Sequence, residues 1–339
     1  MLQIENKTPF QTGLNLITDQ TGTDRVCAMV KGTFKLDSKT EPAEKQLPLF
    51  HVNQYYGEPG KSSIKYPTDF ISGKINTDIG LIGSIHSPEP VTKFSALLQA
   101  GELRKIITAF GDRYWRKNVF LPGFSKTMPI PFKTMPLLYE HAFGGEDRTH
   151  NNSKKHGVYA GNPIGTGFRL NKDAVKSHKL PNLENPKDLI RSWKDKPRVA
   201  GFGFIEPAWG SPLKYAGTYD DEWQEKQFPL LPKDFDLRYF NTASPGLVAD
   251  GFFTGGEPVI IVNLSKKGDL RFNLPKIKLS CMLRLGKDQI SQTPDIWTVL
   301  FEPDEDRFYM VWGTSFAIGK QPSLARHVYI GLEENDKQI

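Results

Sequence analysis

Carboxylates next to aromatic rings are the first side chains in this sequence that could do chemistry. Asp220, Asp221 and Glu222 lie between Tyr219 and Trp223. Paired acids at the right separation hydrolyse glycosidic bonds, so one hypothesis is a carbohydrate-binding or glycoside-hydrolysing cleft. The same acids suit the first turn of a helix, where the helix dipole favours negative charge. We favour this second interpretation, in which Asp220 caps a short helix that carries Trp223.

Possible metal ligands are few. Asp234 and Asp236 could contribute to a calcium site, but the run around them lacks the further ligands of an EF-hand loop. Cys27 and Cys281 are isolated in strand-like runs, and zinc needs more ligands at suitable spacing. The pattern predicts no metal site and two buried free cysteines that behave as small hydrophobic residues.

Acid–base and phosphate chemistry are weakly indicated. Glu140 precedes His141, but neighbours in sequence point apart on a strand, so a structural role is the better interpretation. The glycines of 162–168 and 201–204 could cradle a phosphate only between a strand and a helix, and no such pattern surrounds them. Close backbone packing explains them better. With no Gly-x-Ser-x-Gly nucleophile elbow, the sequence predicts no catalytic or cofactor-binding residue and a protein that is not an enzyme.

Aromatic and arginine side chains in turn-rich segments suit protein binding, because Trp, Tyr and Arg dominate interface energetics. In the run 110–117, the alternative is a turn held by Asp112 and Arg113 with Trp115 in the core, since large aromatic side chains are mostly buried. The candidates for contact with a partner protein are Asp112, Arg113, Trp115, Trp209, Tyr219 and Trp223.

The elements that position these residues are predicted to be mainly β. The 339 residues include 30 Gly and 25 Pro, which interrupt long helices and favour short strands joined by turns. Residues 25–36 alternate as one strand, with Lys31, Thr33 and Lys35 on its solvent face. Hairpins are predicted at 94–110, 259–274 and 296–312, a strand at 277–285, and short helices at 187–194 and after Asp220.

The expected architecture is a sandwich of antiparallel sheets built from both ends of the chain, with a loop-rich central section and a few short helices. We expect one domain over 1–339, divisible into a β-sheet region (1–110), a loop-rich region (111–250) and a β-hairpin region (251–332). The tail from Glu333 is polar and predicted to fray.

Charge and hydrophobicity indicate which partners and which cellular location to expect. The net charge is +6, but the basic residues are interspersed with acidic ones, and no nucleic-acid-binding signature accompanies them. We therefore expect no nucleic-acid partner. The first residues lack the apolar core of a signal peptide, and no stretch approaches the about 20 apolar residues of a membrane span. The sequence therefore predicts a cytoplasmic protein without membrane contact.

A series of short motifs resembles a proteobacterial family long labelled only as a domain of unknown function. The motifs are NKTPF (6–10), KGTF (31–34), FGDRYW (110–115), MPLLYEHAFGG (135–145), NPIG (162–165), LPNLE (180–184), AGFG (200–203), AGTYD (216–220) and LPKDFD (231–236). The likeness spans 6–312. Genes of that family neighbour those of the VgrG spike and PAAR tip proteins of type VI secretion.

The resemblance implies an adaptor or chaperone that binds a toxic effector, stabilises it and loads it onto the VgrG/PAAR spike. It implies no catalytic residue and no cofactor. One departure is His141, where the family commonly has Arg, so an ion pair made by that Arg would be weakened here. A glycan-binding β-sandwich and a structural piece of the secreted spike are the alternative functions, and the oligomeric state stays open.

Overall fold

The computed structural model describes residues 2–120, 122–320 and 322–333. It confirms the mainly β prediction, with several antiparallel sheets and few helical segments. Beyond Glu333, the tail that was predicted to fray lies outside the described residues.

The strands, in chain order, are β1 (Gln3–Asn6), β2 (Gln11–Thr18), β3 (Asp24–Lys35), β4 (Gln54–Tyr55), β5 (Ile64–Tyr66), β6 (Asp78–Leu81), β7 (Ser84–Val91), β8 (Lys93–Ala100), β9 (Leu103–Phe110), β10 (Trp115–Lys117), β11 (Phe124–Lys126), β12 (Phe132–Pro136), β13 (Phe143–Gly144), β14 (Glu146–Asp147), β15 (Gly157–Val158), β16 (Thr166–Gly167), β17 (Leu183–Glu184), β18 (Pro258–Val262), β19 (Leu270–Asn273), β20 (Leu279–Leu285), β21 (Asp288–Gln292), β22 (Asp295–Glu302), β23 (Arg307–Gly319) and β24 (Ala325–Leu332).

Helical segments are short. The α-helix is α1 (Asp221–Lys226), and the 3₁₀ turns are Tyr139–His141, Ser153–Lys155, Lys172–Ala174, Pro212–Tyr215, Leu237–Phe240, Pro303–Glu305 and Pro322–Leu324. None of the helices in the described ranges has the length and hydrophobicity needed to cross a bilayer.

The first large sheet has the strand order β2-β3-β23-β22-β6. Its neighbours are antiparallel except β22 and β6, which are parallel. Because β3 near the start of the chain pairs with β23 near its end over most of their length, the sheet unites both ends, as predicted.

Two further sheets complete the scaffold. The second has the order β17-β9-β8-β18-β19 and is antiparallel, and the third has the order β1-β24-β20-β21 with β1 parallel to β24. The ring of Phe272 in β19 lies 6.0 Å from that of Phe301 and 5.6 Å from that of Phe308, centroid to centroid. The first two sheets therefore face each other across the main hydrophobic core, which gives the sandwich-like arrangement predicted.

The predicted hairpins form where local patterns are strong. β8 and β9 pair across the turn at Gly101-Glu102, β18 pairs with β19, and β22 pairs with β23. Cys281 lies in β20, and both cysteines are free and buried as expected. These hairpins need only alternating apolar residues and a turn between them, which the sequence contains.

The central region is loop-rich, as predicted, but one expected helix is absent. The segment 187–194 folds into turns. Asn185 Oδ1 accepts from the Lys187 amide at 2.9 Å, as the cap of a helix would. Glu184 Oε2, however, accepts from the Ile190 amide at 2.8 Å, which in a helix would donate to the Pro186 carbonyl, so this bond competes with helix formation. The prediction of a helix at 187–194 was therefore wrong.

The second correction concerns strand β3, which is buried on both faces. Lys31 and Thr33, predicted to face solvent, are 0% exposed. Lys31 Nζ donates to Asp69 Oδ2 at 2.9 Å and lies about 4 Å from the ring centroids of Phe50 and Tyr309. Burial lowers the pKa of the Lys31 ammonium and raises the pKa of the Asp69 carboxyl, while each charge opposes the shift of the other.

There are two more buried ion pairs, one local and one that joins segments 71 residues apart. Lys74 Nζ donates to Asp78 Oδ2 at 2.6 Å, and Arg113 binds Glu184. Each side chain of these pairs has at most 4% of its surface exposed. Buried charges must be paired. The Arg113–Glu184 pair joins two segments of the central region, and Asp78 also accepts from Asn241 and Thr242, which ties that region to β6.

Candidate protein-binding surface

Three aromatic rings form an exposed cluster around helix α1. The rings of Tyr219 and Trp223 meet edge-to-face with centroids 4.7 Å apart, and those of Trp223 and Phe228 do so at 5.7 Å. Tyr219 is 55% exposed and Phe228 is 61% exposed, while Trp223 is partly buried between them. We call Tyr219, Trp223 and Phe228 the aromatic platform.

Helix α1 positions the central ring of the aromatic platform. As predicted, Asp220 caps the helix, since its Oδ1 accepts from the Trp223 amide at 2.9 Å. The side chain of Trp223 is held as well, because its Nε1 donates to the Leu230 carbonyl at 2.9 Å. Because both its backbone and its indole are bonded, Trp223 holds a fixed orientation before any partner arrives.

The segment before the helix is tied to the segment after it. Asp234 accepts from the amide of Thr218 at 2.9 Å and from its hydroxyl at 2.8 Å, and these bonds lower the pKa of the Asp234 carboxyl. Gly217 has φ +84°, and a Cβ there would lie 2.7 Å from Pro232 Cβ. Two of the motifs, AGTYD and LPKDFD, therefore close one loop that carries the aromatic platform.

A small groove of about 220 Å³ runs beside the aromatic platform. Its lining includes Asp220, Glu222, Trp223, Lys226 and Asp234. Asp220 and Asp234 already accept hydrogen bonds within the loop, and Glu222 pairs with Lys226 at 3.3 Å. The groove thus has an apolar wall with charged groups of both signs around it.

The other sequence candidates lie away from this platform. Arg113 is 4% exposed, with its guanidinium 3.8 Å from the Phe110 ring centroid, and Trp115 is 4% exposed in a second hydrophobic cluster with Phe143. Because they are buried, Arg113 and Trp115 are not on the accessible surface. Their positions agree with the alternative interpretation of the run 110–117, in which Trp115 lies in the core. Asp112, partly exposed, pairs with Lys179 at 2.8 Å.

Trp209 is partly exposed in a separate turn, in which its amide donates to the Glu206 carbonyl at 2.8 Å. Phe228, by contrast, was missed by sequence reasoning. It follows the helix within a run that is typical of a simple turn, and a detectable signal was its position five residues after Trp223 and directly before Pro229. Its exposure is a property of the folded loop.

Glu140 and His141 do not act on each other. Glu140 accepts from the Ser63 amide at 2.9 Å and from the Ser63 hydroxyl, whereas His141 Nδ1 lies 3.3 Å from Asn182 Oδ1. The two side chains contact different segments of the chain, which agrees with the structural role predicted for this pair.

Backbone packs closely on the first predicted glycine motif, since a Cβ at Gly165 would lie 2.7 Å from the Ala142 carbonyl oxygen, whereas in the second motif a Cβ at Gly201 would meet the Tyr139 ring at 2.4 Å. The neighbouring Gly144 and Gly145 are also packed against backbone. A Cβ at Gly144 would lie 2.1 Å from the Asn162 carbonyl oxygen, and one at Gly145 would lie 2.3 Å from the Gly165 carbonyl oxygen. Asn162 Nδ2 donates to the carbonyls of Tyr139 and Phe143 and fixes the same turn. Side chains are excluded here by other backbone atoms.

A hollow of about 630 Å³ next to these glycines holds a histidine beside an arginine. Arg169 Nη2 lies 2.8 Å from His178 Nδ1. Since a guanidinium can only donate, Nδ1 accepts and the imidazole is neutral. Burial and the Arg169 charge lower the pKa of His178 to about 4, which agrees with that protonation state.

Lys105 forms a second arrangement that sequence reasoning missed. Its Nζ donates to Ser244 Oγ at 2.6 Å and to the Pro245 carbonyl at 2.8 Å, across 139 and 140 residues of sequence. Burial lowers the pKa of Lys105 to about 7. A lysine of lowered pKa next to a serine resembles an activated nucleophile, but Ser244 is 0% exposed, so the side chain offers no surface to a substrate.

We expect replacement of Lys105 by Met to weaken the dependence of stability on pH. The folded-state pKa of about 7 lies below the ordinary value of 10.5, so the unfolded chain binds more protons between these values. Stability of the natural protein therefore rises with pH in this window. Urea unfolding at several pH values should show Lys105→Met more stable relative to the natural protein near pH 7 than near about pH 9; a constant difference would contradict the assignment.

No group of three or more His, Cys, Asp or Glu side chains is placed to hold a metal ion within residues 2–120, 122–320 and 322–333. The acidic run around Asp234 and Asp236 is instead used internally, because Asp236 caps the turn Leu237–Phe240 and binds Arg238.

The chain matches a family model of bacterial proteins. The model of a family described as "Uncharacterized protein conserved in bacteria (DUF2169)" matches residues 21–313, most of the chain. No curated protein matches, and no solved structure matches.

Proposed function

We propose that this chain, which belongs to the bacterial family DUF2169, is an adaptor that binds a partner protein through its aromatic platform and performs no catalysis. The partner that the sequence motifs favour is a toxic effector of type VI secretion, delivered to a VgrG/PAAR spike. The aromatic platform is the observation that carries the proposal.

Exposed rings in a fixed arrangement favour protein binding for a physical reason. Tyr219 and Phe228 keep more than half of their surface in water, although aromatic burial is among the largest favourable contributions to folding. A partner that covers them regains that hydrophobic stabilisation. Because the helix cap and the Trp223 indole bond already order the loop, little conformational entropy is lost on binding.

The charges around the aromatic platform resemble the rim of an interface. Asp220, Glu222 and Lys226 lie beside the rings and carry charges of both signs. An apolar centre with a polar rim is the usual anatomy of a protein–protein contact. The type VI assignment rests on the series of motifs, and the aromatic platform supplies a surface on which an effector would dock.

The proposal predicts a loss of partner binding when exposed rings are removed. Tyr219→Ala combined with Phe228→Ala should weaken the complex with an effector toxin identified among the products of neighbouring genes by about tenfold or more, since an interface hot spot contributes about 2 kcal/mol. Co-expression, co-purification and titration calorimetry measure the effect. The expected thermal midpoint of the variant is close to that of the natural protein, because both rings are exposed.

Phe120→Ala is the matched control, because Phe120 is 96% exposed in another loop. It removes the same ring without touching the aromatic platform and should leave affinity unchanged. Equal losses in both variants would show a non-specific apolar effect. Failure of the natural protein to bind or stabilise the toxin would remove the adaptor proposal itself.

Carbohydrate binding is the second candidate, favoured by the groove in which Trp223 lies beside Glu222 and Asp220. It predicts that the intact protein binds or hydrolyses members of a glycan panel and that Glu222→Ala abolishes this. Glu222 is the residue to replace, because Asp220 also caps the helix. The absence of any glycan signal in the natural protein would exclude this candidate without affecting the adaptor proposal.

A further inference from the structure

The hollow that contains His178 is lined mainly by positive charge. Its volume of about 630 Å³ falls within the about 300–1,000 Å³ that is usual for small-molecule sites. Lys61, Arg148 and Arg169 line it, and Glu146 is the one carboxylate among its described lining residues. Since His178 is neutral, positive charge is in excess by two. We call the space between these side chains the basic hollow.

Arg169 is the cation of the basic hollow that lacks a bonded counter-charge. Its side chain is partly buried, and its Nη1 donates to the carbonyls of Glu146 and Phe168. Asp147 attracts it electrostatically, but Asp147 Oδ2 accepts from the Leu170 amide at 2.8 Å instead. Burial lowers the pKa of the Arg169 guanidinium. A partly buried cation in this position is stabilised by an anion that bonds to it directly.

Two N–H groups at the basic hollow have no acceptor. Because His178 Nδ1 accepts from Arg169, the proton of the neutral ring is on Nε2. His178 Nε2 and Arg169 Nε are both buried without a hydrogen-bond partner in the described part of the chain. Buried donors of this kind are usually satisfied in folded proteins. An oxyanion, which is rich in acceptor oxygens, has the chemistry that both donors lack.

The wall that carries Arg169 is fixed by backbone packing. A Cβ at Gly145 would lie 2.3 Å from the Gly165 carbonyl oxygen, so these two segments are in close contact. The Phe168 amide donates to the Gly144 carbonyl at 3.0 Å, directly before Arg169 in the chain. The position of Arg169 is therefore set by the fold, which lowers the entropy lost when a ligand binds.

The other two cations of the basic hollow are held only by exposed ion pairs. Lys61 pairs with Glu58 at 2.8 Å, and Arg148 pairs with Glu146 at 2.7 Å. All four side chains are exposed, and exposed pairs contribute little to stability. Lys61 and Arg148 can therefore exchange these partners for a bound anion at little cost.

We propose that the basic hollow binds a small molecule through a phosphate group, which takes its counter-charges from Lys61, Arg148 and Arg169. A phosphate monoester carries about −1.5 to −2 charges at pH 7, which matches the positive excess of the lining better than a single carboxylate does. Arg and Lys are common phosphate ligands in proteins. The donors here are side chains, whereas the glycine loop rejected from the sequence would use backbone amides in front of a helix.

Titration calorimetry with inorganic phosphate tests the proposal, at constant ionic strength and with acetate as the singly charged comparison. The intact protein should bind phosphate saturably and more tightly than it binds acetate. Arg169→Met should weaken phosphate binding by about tenfold or more, because it removes charge-assisted hydrogen bonds. Arg148→Met should weaken it by about threefold or more. The Arg148 side chain is 68% exposed, so this variant should fold even if Arg169→Met does not.

Proton NMR shows whether phosphate binds at this place. The imidazole signal of His178, assigned by its loss in His178→Gln, should shift with added phosphate and saturate at the dissociation constant that calorimetry gives. Circular dichroism of each variant checks that it is folded.

Arg284→Met is the matched control, because Arg284 is an exposed residue of β20 in the third sheet. It removes the same side chain and should leave phosphate affinity unchanged. Tyr219→Ala with Phe228→Ala should do the same, since the aromatic platform does not line the basic hollow. Absence of saturable phosphate binding overturns the proposal, and so do equal affinities for phosphate and acetate. A His178 signal that ignores phosphate, or equal effects of Arg148→Met and Arg284→Met, also overturns it.

Discussion

Replacement of Lys31 by Ala is expected to lower the free energy of unfolding by about 3–5 kcal/mol, the usual cost of breaking a buried ion pair. The substitution leaves the Asp69 carboxylate buried without its cation and empties the space between the rings of Phe50 and Tyr309. For a protein whose total stability is about 5–15 kcal/mol, this is a large fraction. Urea unfolding followed by tryptophan fluorescence measures it.

Lys35→Ala is the control for Lys31→Ala, because Lys35 lies on the same strand with an exposed side chain 3.9 Å from Glu41. Exposed pairs contribute about 0–1 kcal/mol, so little change is expected. A double variant, Lys31→Met with Asp69→Asn, keeps an acceptor for the Phe50 amide and should recover part of the loss. Similar effects of Lys31→Ala and Lys35→Ala would show that the buried pair is unimportant.

Replacement of Asp78 by Ala should be equally damaging, by about 3–5 kcal/mol, since it strands the buried Lys74 ammonium. Asp78 also accepts from Asn241 Nδ2 at 2.9 Å and from the Thr242 amide at 2.8 Å. These bonds tie the central region to β6, so the loss should also increase proteolysis of residues 206–250. Thermal unfolding and limited proteolysis provide the two measurements.

Asp288→Ala serves as the comparison for Asp78→Ala, because Asp288 is exposed on edge strand β21. Its removal should change stability by no more than about 0.5 kcal/mol. Asp78→Asn, which keeps one carbonyl acceptor but removes the charge, should fall between the two. If Asp78→Ala unfolded at the same urea concentration as Asp288→Ala, the central region would be held by other contacts.

The strength of local signals decided which predictions succeeded. The hairpin of β8 and β9 and the cap at Asp220 depend on residues within a few positions of one another, and both are present. The helix predicted at 187–194 failed because Glu184 binds the Ile190 amide, a competition that helix-start rules ignore. The sequence left two interpretations of Trp115, a surface residue or a core residue. Its burial in a cluster assembled from several segments shows that it is a core residue.

The sequence alone determined the mainly β architecture, the main hairpins and the cap of helix α1, because period-two alternation, turns and caps act over a few residues. Only the tertiary structure decided that Lys31 is buried, that Lys105 meets Ser244, that the aromatic platform is exposed and that Lys61 and Arg169 line one hollow. Each of these depends on partners that are tens to hundreds of residues away along the chain. Burial follows from how sheets stack, which a single strand's pattern does not contain.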